Sequence, residues 1–450
     1  MATISAFRLT NIYKCAKFSL NKKYFKPLLK NIQRLRMAKI VYVGLPAHGH
    51  TNPTLPVMKE LVQRGHTVLY YNAASFQEKI DPTGVDFRAL PEPLPTAREI
   101  AEALRELINA SLMISNMSRR LTHYLIDEFE REQPDLVIYD SIAMWGYIAA
   151  RIQNIPQICF ITTFVLDGSQ GAVGLGTMAR FFWSALPHMP KLISWRRSMA
   201  RDFGKDHSGG ITEYADLNIV FTSQSFHPKN NFIDGRFRFV GPSLEPSLRD
   251  GDFPFEQLHD EPKVYISLGT VHYLNTAFYR AVFKAFANQS AQFILSIGKN
   301  TDITQLGTTP NNFIVRNYVS QLAILQHVDA FITHGGMNSV HEGLYYGVPE
   351  IVVPHQFEQL LNGNRVVQTG AGLLLGNTRP YGRVTAQELR TALNTLLNNP
   401  QYQQNAQRIG TTLKEAGGYR QAVKEIETFL DAVTSYQIRG ASLSLQTPIP

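Results

Sequence analysis

At 450 residues the chain is longer than one core organises, so two domains are expected. An apolar share of 44% and a charged share of 18% are those of a globular protein, and no apolar run is long enough to span a bilayer, which argues against an integral membrane protein. The net charge of +8 is local: nine of the 44 Lys and Arg lie in residues 1–36, which hold no acid, so the rest of the chain is balanced and gives no ground for nucleic-acid binding.

Residues 1–36 read either as a targeting or membrane-surface segment, capable of weak contact with a bilayer, or as a dispensable extension before Met37. The two cysteines, Cys15 and Cys159, form no disulfide framework, and a reducing, cytoplasmic setting is expected. From Met37 onward β-branched apolar runs alternate with helical patterns. Lys39–Leu45 predicts a buried strand, followed by a helix over Pro53–Gln63 with Asn52 as N-cap. Strands are predicted at Thr67–Tyr71, Leu136–Tyr139, Gln157–Ile161 and Leu217–Thr222, with helices over Arg98–Glu132 and Ala143–Ile152. Gly241–Pro262, rich in Pro, Gly and acids and without period, reads as a linker. A second alternation follows, with strands at Val264–Leu268, Phe293–Ile297, Phe313–Arg316, Ala330–Thr333, Ile351–Pro354 and Leu373–Leu375. Its helices are Ala277–Ala287, Ser339–Tyr346, Leu360–Thr369 and one near Ala386–Leu397, and a last one near Arg420–Ala432 precedes a disordered tail. The expected fold class is α/β, two Rossmann-like doubly wound halves facing a cleft. The expected division is a basic extension (1–36), a first domain (37–240), a linker (241–262), a second domain (263–415), a C-terminal helix (416–435) and a tail (436–450).

Open parallel sheets bind ligands outside the carboxyl ends of their strands. In Phe331–Gln359 (FITHGGMNSVHEGLYYGVPEIVVPHQFEQ) a strand ends at His334, two glycines follow and a helix opens near Asn338. Glycines admit close backbone approach, and a helix start offers free N–H groups to phosphate. Glu342, four residues after Asn338 on the same face, is placed to accept ribose hydroxyls. Taken alone, HGGMNS is equally an ordinary capped strand-to-helix turn. In Gly44–Pro53 (GLPAHGHTNP) histidines sit after the first strand, and histidine is the residue suited to act as a base near neutrality. An HxH pair also raises a metal site, but no third or fourth ligand with zinc-like spacing accompanies it. Asp140 ends the strand LVIYD and, taken alone, reads as a cap for the next helix.

The pattern HxGxNSxxE, GVP, VVP and a final acid-Gln pair resembles the donor-binding box of the nucleotide-sugar-dependent glycosyltransferases that modify natural products, including macrolides. The resemblance runs from about Met37 to Leu430 and is weak over Phe87–Gly210. It implies the two-domain GT-B fold and an inverting, metal-independent transfer of a hexose from a UDP-sugar, glucose being favoured by the final Gln. The acceptor would be a small apolar alcohol of macrolide, polyketide or flavonoid type. By the same resemblance His334, Gly336, Asn338 and Ser339 hold the diphosphate, Glu342 the ribose, and Glu358 and Gln359 the sugar. ISLGT brings Gly269 and Thr270 to the phosphates, and NYVSQ brings Tyr318, Val319 and Gln321 to the base. There Tyr318 and Ser320 depart from the usual Trp and Pro, leaving UDP against dTDP open. GHxxP makes His50 the catalytic base, with Asp140 as its partner and His48 as a loop or acceptor-lining residue. Aromatics such as Phe164, Phe181, Phe182, Trp183 and Trp195 divide between core and acceptor pocket. No cofactor or metal is expected beyond the nucleotide sugar. Asp250-Gly-Asp252 reads as a solvated turn, not a metal-binding DxD. A nucleotide-sugar epimerase or hydrolase, and a non-catalytic partner protein, are the competing readings on the same scaffold.

Overall fold

A computed structural model describes residues 37–96, 99, 103, 107–165, 186–204, 214–248, 253–269, 276–298, 301–378 and 382–444. The leader, the aromatics 181–183, Asp250, Asp252 and Thr270 lie outside the described residues.

Thirteen described strands form two all-parallel sheets. The first contains β1 (Lys39–Val43), β2 (Thr67–Asn72), β3 (Asp86–Ala89), β4 (Leu136–Asp140), β5 (Gln157–Ile161), β6 (Leu217–Val220) and β7 (Phe237–Phe239), in the order β3-β2-β1-β4-β5-β6-β7. The second contains β8 (Lys263–Ser267), β9 (Gln292–Ser296), β10 (Phe313–Arg316), β11 (Ala330–Thr333), β12 (Glu350–Val352) and β13 (Gly372–Leu374), in the order β10-β9-β8-β11-β12-β13. Both follow the doubly wound order, so each has a switch point where the strand order reverses: β1 beside β4, and β8 beside β11.

The central strands read as continuous apolar runs because helices cover both of their faces. In β1, Val41 and Val43 pack with helices α4 (Leu107–Glu132) and α5 (Met144–Ile152). Ile40 and Tyr42 point the other way, as strand pleating requires, towards α2 (Thr54–Gln63). The earlier helical pieces are α1 (His48–Thr51) and α3 (Gln77–Ile80), and α6 (Met189–Phe203) lies against the α4 side. In the second half, α7 (Thr276–Phe286) and α11 (Ala386–Asn398) cover one face. On the other side lie α8 (Gln321–Ile324), α9 (Met337–Tyr345), α10 (Phe357–Gln368) and α12 (Pro400–Glu415).

The last helix, α13 (Gly418–Ser444), returns to the first half. Its Ala422, Val423 and Ile426 are fully buried in the cluster of Ile40, Tyr42 and Leu61. Arg64 and Arg238 of the first half pair with its Glu427 and Glu425. A second apolar seam joins the halves directly: Phe164 and Phe226 pack with Met337, Val340 and Leu413.

Several elements differ from the sequence expectation. His48–Thr51 is already helical, so Asn52 is the C-cap of α1 in helical conformation and not the N-cap of α2, whose N-cap position is Pro53. Strands β3 and β7 and helix α12 were not anticipated, β3 and β7 being short edge strands. Helix α9 opens at Met337 and α10 at Phe357, which brings Asn338 and Glu358 into first turns. Helix α13 continues to Ser444, beyond Ser435 where the tail was expected.

Candidate functional site

The two switch points face each other across the interdomain cleft, and the chemistry-bearing residues gather there. At the first, α1 carries His50 off β1, and Asp140 is the last residue of β4. His50 Nδ1 lies 2.8 Å from Asp140 Oδ2, and Asp140 is fully buried. The other carboxylate oxygen accepts the backbone N–H of Ile142 at 2.9 Å and holds the turn after β4; α5 has Ala143 at its N-cap with no side-chain cap, so Asp140 is not the helix cap that the sequence suggested. The loop after β5 adds Thr162, whose Oγ1 is 2.9 Å from the same Nδ1. An ionised carboxylate only accepts, so the Nδ1 hydrogen is directed at Asp140 and Nε2 keeps its lone pair. Burial presses the His50 imidazole down. The adjacent Asp140 carboxylate, its hydrogen bond and the charge of Glu358 across the cleft outweigh this, and the net shift is upward.

His48 turns away from this pair. Its ring packs on Phe76 at 4.9 Å between centroids, and its Nδ1 is 3.4 Å from Lys79 Nζ.

At the second switch point, Gly269 follows β8 and His334 follows β11. The His334 ring is held between two glycines. A Cβ on Gly269, where φ is +73°, would stand 2.6 Å from Cε1, and one on Gly336 would stand 2.6 Å from Nε2. Burial, then the neighbouring His355, push the His334 imidazole down to about 3, so it is neutral. A neutral imidazole in this position donates or accepts a hydrogen bond but supplies no charge.

Helix α9 then presents Asn338, Ser339 and Glu342. Gln321, opening α8, donates to Glu342 Oε2 at 2.7 Å and to Ser339 Oγ at 3.3 Å, which draws three of the expected residues into one cluster with Asn338 alongside. Val319 is buried in the core beneath, whereas Tyr318 is 46% exposed at the rim. Asn338 Nδ2 reaches across the cleft and donates to Gly49 O at 3.0 Å, one residue before His50.

Glu358 and Gln359 in the first turn of α10 differ from each other. Glu358 faces the cleft near His50, and burial lifts its carboxyl against the hydrogen bond from Asn362 and the charge of His50. Gln359 is buried, and its Oε1 accepts the backbone N–H of His355 at 2.7 Å, so its side chain braces the loop after β12. Trp195 packs against the first-half core, and Phe164 lies in the seam between the halves.

Three residues had no sequence signal. Thr162 follows a strand without any motif around it. Asn362 ties Gly335 O (2.8 Å) to Glu358 Oε1 (3.1 Å). His341 is buried and sits 2.8 Å from Thr222 Oγ1 across the interface.

Comparison with known proteins agrees with this architecture. Residues 259–416 match the family described as UDP-glucoronosyl and UDP-glucosyl transferase. The NDP-glycosyltransferase YjiC of Bacillus subtilis (strain 168) is 32% identical over 397 residues, covering 87% of this chain and 97% of its own length. The oleandomycin glycosyltransferase of Streptomyces antibioticus is 27% identical over 421 residues, covering 88% of this chain and 91% of its own. The solved structure of the glycosyltransferase of kitacinnamycin superposes with a TM-score of 0.72 at 26% identity, covering 88% of this chain and 99% of its own. With its two facing doubly wound sheets and this likeness along nearly the whole of a relative's length, the chain belongs to the family of UDP-glucoronosyl and UDP-glucosyl transferases, within the GT-B glycosyltransferases.

Proposed function

We propose that the chain transfers a hexose, glucose by preference, from a UDP-sugar to a hydroxyl of a small apolar acceptor with inversion at the anomeric carbon. The observation that carries this is the His50–Asp140 pair at 2.8 Å, set opposite Glu358 and linked to the donor half through Asn338. His50 Nε2 takes the proton of the acceptor hydroxyl while its oxygen bonds to the anomeric carbon. The bond from that carbon to the diphosphate breaks, and its electron pair leaves with UDP. Asp140 holds the Nδ1 hydrogen and stabilises the imidazolium that forms, a contribution to general-base catalysis of roughly 10²–10⁴-fold in all.

On the donor side, the start of α9 with Gly336, Asn338 and Ser339 binds the diphosphate, whose charge the helix N-terminus favours. Glu342 takes the ribose, Glu358 the hexose hydroxyls, and Tyr318 with Val319 and Gln321 the base. Gly269 and Thr270 approach the phosphates from the β8 loop. His334, neutral and locked between glycines, acts as a hydrogen-bond partner to the diphosphate. Gln359 holds hexose hydroxyls with Glu358, while its Oε1 also fixes the backbone of His355. The reaction is proposed to need no metal, and the acceptor to resemble the polyketide-type substrates suggested by the oleandomycin enzyme's name. A cytoplasmic setting is proposed from the cysteine composition, and weak membrane contact through residues 1–36 from their charge.

The test is mass spectrometry of purified protein with UDP-glucose, EDTA and a panel of phenols, flavonoids and macrolides. A hexose mass gained by an acceptor in EDTA supports the proposal. Free glucose or an altered nucleotide sugar without acceptor glycosylation overturns it in favour of a hydrolase or epimerase, and activity restored only by added metal overturns metal independence.

A further inference from the structure

The segment leaving β7 runs along the interdomain cleft directly opposite α9. Pro242, Ser243 and Leu244 form one wall of a narrow gap there, beside Pro53 and Phe221. The other wall is Asn338, His341 and Glu342. Ser243 is 3% exposed, and its Oγ makes no hydrogen bond among the described residues. A buried hydroxyl without a partner is uncommon in a folded protein, because nothing replaces the water it gave up. The polar groups facing it are engaged on their own sides, His341 with Thr222 and Glu342 with Gln321.

We propose that Ser243 is a further donor-binding residue, whose hydroxyl bonds the ribose of the bound nucleoside diphosphate from the side opposite Glu342. This rests on the donor site proposed above and adds a contact from the other half of the molecule. Glu342 accepts from a ribose hydroxyl, and Ser243, with one hydrogen and two lone pairs, both donates and accepts. The gap has a free volume of about 10 Å³, room for roughly one water and not for a pentose ring. The ribose therefore enters as the walls part, and the linker that carries Ser243 moves with the opening.

Isothermal titration of UDP, UMP and 2′,3′-dideoxyuridine diphosphate into the full chain and Ser243→Ala tests this. The variant is expected to bind UDP and UMP about 3- to 10-fold more weakly, the range of one neutral hydrogen bond. Its affinity for the dideoxy compound should match that of the unaltered chain. Without nucleotide its Tm should be equal or higher, since a buried unpaired hydroxyl has been removed. Equal affinity for UDP in both proteins overturns the proposal alone, as does an equal loss with the dideoxy compound, which would place the contact on phosphate or base. An unaltered chain that binds neither UDP nor thymidine diphosphate overturns the donor site itself.

Discussion

A histidine that accepts a proton must be neutral when substrate arrives, yet the groups around His50 favour its cation. Burial opposes the charge, and Asp140, at 2.8 Å, more than compensates. The acid limb of the kcat/KM profile is therefore expected to lie above the ordinary imidazole value of about 6.5. In Asp140→Asn only the burial effect and the distant Glu358 remain, and the limb should move to lower pH. Superimposable profiles for the two proteins would reject His50 as the titrating base. The same variant should lose roughly 10³–10⁴-fold in kcat, because the amide no longer holds the imidazole in the working tautomer. Its Kd for UDP should be unchanged. The pair also has a stability signature. Because the folded pKa is raised, its contribution is fully present below about pH 6.5 and fades as pH rises through the folded value.

His50 and Asp140 were singled out in the sequence by the family resemblance, because residue type alone left His48 and His50 as equal candidate bases and read Asp140 as a helix cap; the fold brings the two side chains to 2.8 Å. Thr162 was not legible. A threonine after a strand has many ordinary uses, and only the sheet order brings β5 next to β4 and its loop up to His50. Gln359 shows a second kind of limit: residue type and spacing matched the family, but the bracing of the His355 backbone by its Oε1 carried no sequence signal.

At the level of elements, strand and helix periods identified the central strands well, since each is a long apolar run sealed on both faces. The edge strands β3 and β7 were missed because they are short and half covered. The destination of α13 could not be read locally at all: an amphipathic helix announces that it has a partner, not which one. Ile426 is fully buried among Ile40 and Leu61. Ile426→Ala should thus destabilise the first half by about 2–5 kcal/mol, the usual cost of removing a large aliphatic side chain from a core. Chemical denaturation followed by near-ultraviolet circular dichroism would measure it, and a loss below about 0.5 kcal/mol would mean that the helix does not close this core. Strand β12 contains a different kind of element-scale cost. Glu350 is fully buried, both of its carboxylate oxygens lack partners among the described residues, and burial raises its carboxyl far above the usual range. The folded chain keeps this proton while the unfolded chain releases it above about pH 4.3, so the destabilisation grows as pH rises. Glu350→Met is expected to raise Tm, and by more at pH 8 than at pH 4.5. An equal gain at both values would show that Glu350 is paired in solution.

Across the whole molecule, the halves are joined by more than their linker. Arg365 of α10 donates to the carbonyls of Ser225 (2.8 Å) and Phe226 in the first half, and Phe164 and Phe226 enter the second-half seam. Calorimetry is expected to show one unfolding transition and not two. UDP at about 100 times its Kd should stabilise the folded chain by about 2.7 kcal/mol and raise that whole transition by a few degrees. Two resolved transitions, with only the upper or lower one responding to UDP, would show that the halves unfold independently.

The return of α13 also sets a condition on synthesis. Ile40 and Ile426 lie far apart along the chain, yet they share one cluster. A ribosome releases β1 long before it makes the helix that covers it. The first half therefore waits with this apolar cluster closed only in part, by α2, while the entire second half is translated. The nascent chain is open to chaperone capture throughout that interval, and a message cut short anywhere before codon 418 yields a protein with a permanent sticky surface, not a smaller working enzyme.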